Sequence, residues 1–352
     1  MANVLDINQT KTWIAGFEKY FQPDNFLRKT FFGEVIPFTT ESVIMDYRKG
    51  TKKMAPFVVP GNTAVSARSS FQTREYTPPF ISLKRPLSVR DLKTRSFGEN
   101  PLQPKSEADR AKEIRVRDYK ELHDMIERRF EWMCAQLLVN GAFEVKGVAD
   151  DGDNAVVIKD TVTLPGFTNK KTAAAADQWT KDTADVWGQI NQVRVDMSKT
   201  GNTPTMAIMN SNTAKAFMSN KSVKEKLNIP DSVIAQLMTA RPKTYGESLT
   251  HYAFANPGEI EVLGYDAVYE DDAGAVQYFI PDGYVVFVKP GIGKLLSGAI
   301  TQLVGGEYTT FSGLFVPKEW ADEGTDTKNV RLASRAVPLV EDIDSFYSLK
   351  VF

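Results

Sequence analysis

The sequence offers very little sulfur or imidazole chemistry. Of its 352 residues, one is cysteine, Cys134, and two are histidine, His123 and His251. A single cysteine excludes an intrachain disulfide and fits folding in a reducing compartment. Two histidines remove most zinc sites and most His-based triads. Net charge is also missing, because 43 Lys and Arg offset 44 Asp and Glu to leave −1. A chain whose main task is to wrap nucleic acid is usually basic, and this one is not. Uninterrupted apolar runs are short. Tyr284 to Val288 is among the longest, far below the roughly 20 residues of a spanning helix. The opening MANVLDINQTKTW has no basic stretch followed by an apolar one. No signal peptide is visible, and a soluble chain made in the cytosol is expected.

What is present is an ordinary globular composition. Hydrophobic residues are 42% and charged residues 25%, which excludes a chain disordered throughout. The length exceeds what one core supports, so two or three packed units are expected. Near the N-terminus, Trp13, Phe17, Tyr20 and Phe21 sit at helix-like spacings, and Phe26, Leu27, Phe31 and Phe32 follow closely. So many aromatics do not stay in water. They cover either this chain's own core or a neighbouring subunit.

Residues 41 to 95 are proline-rich and alternating. Ser42 to Tyr47 reads as a strand. Ala55 to Gly61 (APFVVPG) and Phe71 to Pro79 (FQTREYTPP) read as two extended arms around the polar stretch Asn62 to Ser70. Proline marks an edge because it cannot donate a ladder hydrogen bond. A lone hairpin is marginal in water, so this one is expected to rest on something else, its own chain or a partner. Candidate contact residues are Arg68, Arg74, Tyr76, Pro78 and Pro79 here and Trp13 and Phe17 upstream.

The clearest element spans residues 106 to 140. Ser106 supplies an N-cap, Glu107 and Asp109 an acidic first turn, and Asn140-Gly141 a stop. Ile114, Leu122, Ile126, Phe130, Met133 and Leu137 fall on one stripe with Met125 beside it. The helix is expected to be about 50 Å long and to act as a spine. Downstream, 143 to 165 reads as a hairpin around Asp150 to Asn154, and Ala173 to Ala176 as a linker. Lys181 to Lys199 reads as a helix and Thr203 to Asn210 as a strand. Further helices are expected to be capped by Ser211 and Asp231. Strands and tight turns return from His251 to Val288, with Glu270 to Gly274 (EDDAG) as one turn. After Pro290-Gly291 the character is loop, strand and loop, and Val330, Leu332 and then Val337 to Val340 suggest a closing strand.

Charge is unevenly spread. Basic residues outnumber acidic ones 13 to 9 between Lys84 and Arg129, whereas Asn256 to Val288 holds seven acidic residues and no Lys or Arg. Such asymmetry suits contacts between copies, although a solvated surface also accounts for it. Glu270, Asp271 and Asp272 are further candidate contact residues.

No constellation carries chemistry. PGIGK at 290 to 294 resembles the start of a phosphate loop, but Leu295 follows Lys294 where Ser or Thr is needed. Asp150, Asp151 and Asp153 lack the spacing and closing Glu of a calcium loop. His123 reads as a solvated residue or an ion pair with Glu127, and Cys134 as a small buried residue. No catalytic, metal or cofactor residue is assigned, and an α+β protein without an active site is expected.

The ordered segments resemble the lambda-type major capsid proteins of tailed phages, the protein E family. The resemblance rests on APFVVPG and FQTREYTPP, the helix from Ser106, YFIPDGYVVFVKPGIG at Tyr278 to Gly293, and Trp320 followed by RLASRAVPLV at Arg331 to Val340. It implies the major capsid fold shared by tailed phages and herpesviruses. The N-terminal arm would be 1–40 and the E-loop region 41–95. A peripheral domain would combine 96–169 and 291–352, with the spine helix near 106–140 and a β-arm near 143–165. An axial domain would occupy 170–290. Copies would form hexamers and pentamers closing into an icosahedral head around double-stranded DNA, bound without sequence specificity. The resemblance places the chain in the virion, assembled in the host cytoplasm with no membrane step. Because the chain opens almost at once on its arm, a separate scaffolding protein is expected, with a portal and room for a decoration protein. No Lys–Asn cross-linking pair can be matched. An encapsulin-like compartment for protein cargo and a metal-dependent enzyme are the alternatives.

Overall fold

The computed structural model describes residues 25–49, 54, 71–94, 106–148, 156–227, 248–251, 260–271 and 274–352. Trp13, Phe17, Arg68 and Asp272, the stretch 55–61, the tip at Asp150 to Asn154 and the helix expected after Asp231 lie outside them.

The long helix α3, Glu107–Asn140, follows two short helices, α1 (Phe26–Phe31) and α2 (Val89–Lys93). The hydroxyl of Ser106 accepts from the backbone N–H of Asp109, so the cap is where sequence places it. At the other end Gly141 adopts φ 70° and donates its N–H to the carbonyl of Leu137. A side chain there would also strike the ring of Phe167, so conformation and space both demand glycine. The stripe from Ile114 to Leu137 is buried, but Met125 is exposed.

A five-stranded sheet packs on α3. Its centre is β18, Thr327–Val340, a 14-residue strand that contains Val330, Leu332 and Val337 to Val340, where sequence suggested a closing strand. Charged and polar residues interrupt its apolar pattern, which hid its length. The first part of β18 pairs on one side with β4 (Phe80–Ser88) and on the other with β17 (Val316–Asp322), both antiparallel. Its last part pairs with β14 (Gly293–Gly298), which runs parallel to β1 (Glu34–Phe38). Val330, Leu332, Ala336 and Val337 face the main core with Ile126 and Phe130 of α3. On the opposite face, the hairpin β15–β16 (Ile300–Val304, Glu307–Phe311) buries Ile300 and Phe311 against Val316 and Ala333.

A second sheet has six strands in the order β7 (Lys170–Thr172), β19 (Tyr347–Lys350), β13 (Tyr284–Val288), β8 (Met206–Met209), β10 (Glu261–Tyr265) and β9 (Leu249–His251). It lies between two cores. Val286 and Val288 of β13 point into the main core, and Val285 and Phe287 into a second core built on Trp179 and helices α4 (Val186–Thr200) and α5 (Ser211–Ser219). The run YVVFV is continuously apolar because both faces are covered. Asn210, rather than the expected Ser211, caps α5, accepting from Thr213. A short helix α6, Lys221–Leu227, follows. The partition expected from sequence put 291–352 outside this unit. Strand β19 nonetheless pairs with β13 and β7, so the C-terminal strand completes this sheet.

Candidate assembly surfaces

Strand β2, Val43–Arg48, pairs antiparallel with β3, Phe71–Tyr76, from Val43↔Tyr76 to Arg48↔Phe71. Sequence suggested instead that 55–61 and 71–79 form the two arms. The preceding strand is the partner of β3. Alternation splits the ribbon into two faces. Met45 and Tyr47 are buried, whereas Ile44 and Phe71 are 67% and 62% exposed. The base is tied down. Arg48 donates its backbone N–H to Glu341 O at 2.8 Å. Tyr76 hydrogen-bonds Asp160 of β6, the return strand of the hairpin β5–β6 (Ala142–Val148, Val156–Thr163). Burial, together with that carboxylate, pushes the Tyr76 phenol well above its ordinary range. Arg74 reaches Thr163 Oγ1 at 3.5 Å and is otherwise exposed. Pro78 is buried within its own chain, where its carbonyl accepts from Arg335 Nε at 3.3 Å, and Pro79 is half-buried.

A second feature joins the N-terminal end of the described chain to α3. The N-cap of α1, Asn25, makes no capping bond with its side chain. The cap comes from the long helix instead. Glu131, wholly buried, accepts from the backbone N–H of Leu27 at 2.8 Å and of Arg28 at 2.9 Å. Tyr265 of β10 donates its hydroxyl to the same carboxylate at 2.5 Å. One turn earlier, Glu127 pairs with the Arg28 guanidinium at 3.2 Å and accepts from Asn25 Nδ2 at 3.2 Å. Burial raises the Glu127 carboxyl to about 7. His123 is buried beside it, 4.0 Å from Glu127, with its ring against Phe315. It is not a solvated helix residue. Sequence reasoning missed Glu131. The available signal was two carboxylates, Glu127 and Glu131, four residues apart where α3 is apolar on nearly every side.

The acidic turn joins β11 (Val268–Glu270) to β12 (Val276–Tyr278). Asp271 is spent on the turn itself, since its carboxylate accepts from Ala275 N at 2.9 Å. Glu270 is exposed, and Val268, Val276 and Tyr278 around it are exposed as well. Among the described residues, no three His, Cys, Asp or Glu side chains could together hold a metal ion. Cys134 is buried, and burial drives its thiol well above its ordinary value, away from the nucleophilic thiolate. No helix among the described residues is long and apolar enough to cross a membrane.

A family model described as phage major capsid protein E matches residues 9–351. The chain belongs to that family. It is similar to the major capsid protein of Escherichia phage lambda, with 22% identity over 97% of this chain and 98% of the relative. The likeness to the major capsid protein of Escherichia phage N15 is also 22%, over 99% and 100% of the two chains. Among solved structures, the capsid protein of an E. coli CFT073 prophage superposes with a TM-score of 0.68 at 17% identity, covering all of both chains. The mature capsid of bacteriophage PhiM1 gives 0.52 at 10% identity over 94% of this chain and 88% of that one. The fold is therefore the tailed-phage capsid fold.

Proposed function

We propose that this capsid protein assembles into hexamers and pentamers of an icosahedral head that encloses double-stranded DNA. The observation that carries the reading is the β2–β3 ribbon. Its inward face is anchored by Met45, Tyr47 and Tyr76, and its outward face leaves Ile44 and Phe71 in water. A two-stranded ribbon that leaves apolar side chains such as Ile44 and Phe71 uncovered gains stability when another surface covers them. A neighbouring copy is that surface, with Arg74, Pro79 and, beyond the described residues, Arg68 at the contact. Residues 41–95 then act as the E-loop and 1–40 as the N-terminal arm, with Trp13 and Phe17 on a neighbour. The α3 unit is the peripheral domain and the six-stranded sheet the axial domain. The Glu270–Asp271–Asp272 turn meets another subunit. The near-zero net charge suits a container from which DNA is released. The reading includes a separate scaffolding protein, a portal and a site for decoration, with assembly in the host cytoplasm and no catalytic role.

Negative-stain electron microscopy of size-fractionated protein, alone and co-expressed with its genomic neighbours, tests this. Closed shells or rings of five and six are expected. A strictly monomeric species under every condition would overturn the reading.

A further inference from the structure

The five-stranded sheet carries a row of like charge. Across β17, β18 and β4 the register places Lys318 opposite Arg331 and Arg331 opposite Lys84. Directly opposed residues share one face of a sheet, and like charges so placed repel. Natural sheets tolerate such a row where something of opposite charge covers it.

Within the chain that compensation is lacking at two of the three positions. No carboxylate forms an ion pair with Lys318 or Arg331 among the described residues. Arg331 makes one side-chain bond, from Nη2 to Gln302 Oε1 at 3.0 Å, and its Nε is buried without an acceptor. The Lys318 ammonium lies 5.7 Å over the Trp320 ring. Partial burial holds both cations below their ordinary pKa, and Arg331 adds to the effect at Lys318. The other face of the same strands is different. There Glu319 takes Arg115 at 3.6 Å, Lys328 at 3.7 Å and the Tyr119 hydroxyl at 3.2 Å. This sheet neutralises its charges where it packs on its own helix, whereas on the face that also carries the β15–β16 hairpin Lys318 and Arg331 have no carboxylate partner among the described residues.

The rim of the row is apolar at its two outer positions. The next register positions on that face are Trp320, Asn329 and Pro86. A fitting partner presents a carboxylate among apolar side chains. The β11–β12 ribbon does so, with exposed Glu270 opposite Val276 and flanked by Val268 and Tyr278. It lies in the stretch from Asn256 to Val288 that has seven acidic residues and no Lys or Arg. We infer that the Lys318–Arg331–Lys84 row is the docking site for the Glu270 ribbon of a second copy of this chain. The inference rests on the assembly reading above and names the partner of its acidic turn. Phosphates of packaged DNA would meet the cations but leave the apolar rim and the ribbon uncovered.

Two measurements on shells of the full-length chain test it. Carbodiimide joins a carboxylate to an ammonium in direct contact. In wild-type shells it should link Lys318 or Lys84 to Glu270 or Asp271 between copies, read by mass spectrometry. Shells that give no such link overturn the inference. Separately, Lys318→Glu with Arg331→Glu should lower shell yield at least tenfold, as should Glu270→Lys. Combining them should return the yield to within about threefold of wild type. Wild-type yield from the first variant, or failure of the combined variant while its circular dichroism stays native, overturns the inference. Normal shells that package less DNA also overturn it, because phosphate is then the partner. A wild-type chain that never forms shells sinks the assembly reading itself, an outcome distinct from all of these.

Discussion

Glu131 accepts hydrogen bonds from Leu27 N at 2.8 Å and Arg28 N at 2.9 Å, across more than a hundred residues of chain, and caps a helix to which it does not belong. The short helix α1 is too brief to hold itself, and its own N-cap residue, Asn25, is committed to Glu127. The start of the described chain is therefore fixed to α3 by side-chain chemistry as well as by the packing of Phe26, Leu27 and Phe31. Tyr265 brings the six-stranded sheet to the same carboxylate. One buried group thus ties together three parts of the fold.

Glu131→Ala removes that acceptor and strands two backbone donors and a phenol. The expected loss is about 3 kcal/mol or more, since each buried orphan costs about 1–3 kcal/mol. Glu131→Gln, which keeps the shape and one acceptor, should lose less. Urea unfolding of the unassembled chain measures both. Hydrogen exchange at the Leu27 and Arg28 amides should accelerate in the alanine variant. Unchanged exchange there would show that apolar packing alone holds α1.

Glu127 should make stability depend on pH near neutrality. Burial raises its carboxyl from 4.5 to about 7, against the lowering effects of Arg28, Asn25 and Lys29, while Glu131 adds to the rise. Between those values the folded chain holds a proton that the unfolded chain has released. Stability from this group therefore falls as pH rises from about 4.5 to about 7, and the full cost is present above. His123 acts in the opposite sense. Burial lowers its pKa, so its contribution is lost as pH falls below 6.5. Comparing wild type with Glu127→Gln isolates the first effect. The variant should gain on wild type by up to about 3 kcal/mol between pH 5 and 8. A difference that stays constant with pH would refute this account.

Charge reversal at the ribbon should separate folding from assembly. Arg74 is exposed and makes one long contact, to Thr163, so Arg68→Glu with Arg74→Glu should shift monomer stability by no more than about 0.5 kcal/mol. Capsomer or shell formation should fail. Particles of normal yield and unchanged thermal stability would count against the E-loop assignment.

Local signals were legible and long-range ones were not. The Ser106 cap, the Gly141 stop and the stripe from Ile114 to Leu137 are set within a few turns of one helix, and they read directly. The doubly covered strand Tyr284–Val288 announced itself as a continuous apolar run. The partner of β3 was misread because pairing depends on which strand arrives, and β2 and the stretch at 55–61 are both plausible extended sequences. Neither the burial of Glu131 nor the alignment of Lys84, Arg331 and Lys318 has a local signature. The first needs the position of α1, and the second needs the register of the β17–β18 hairpin against β4, which lies more than two hundred residues upstream.

Gly293 shows how tightly the junction between the sheet and α1 is built. It pairs with Val340 at the start of β14. A Cβ there would fall 2.5 Å from two ring carbons of Phe32 and 2.6 Å from the carbonyl oxygen of Leu339. Its backbone needs no positive φ, so the constraint is space alone. Gly293→Ala should cost about 1–3 kcal/mol through overpacking. Phe32→Leu, added to it, should relieve part of that cost by withdrawing the ring edge. The Leu339 carbonyl belongs to the sheet ladder and cannot move away. A double-mutant cycle should therefore show favourable coupling between the two substitutions that falls short of full rescue. Full rescue would mean that the ring alone sets the limit, and zero coupling would mean that Phe32 does not touch this site.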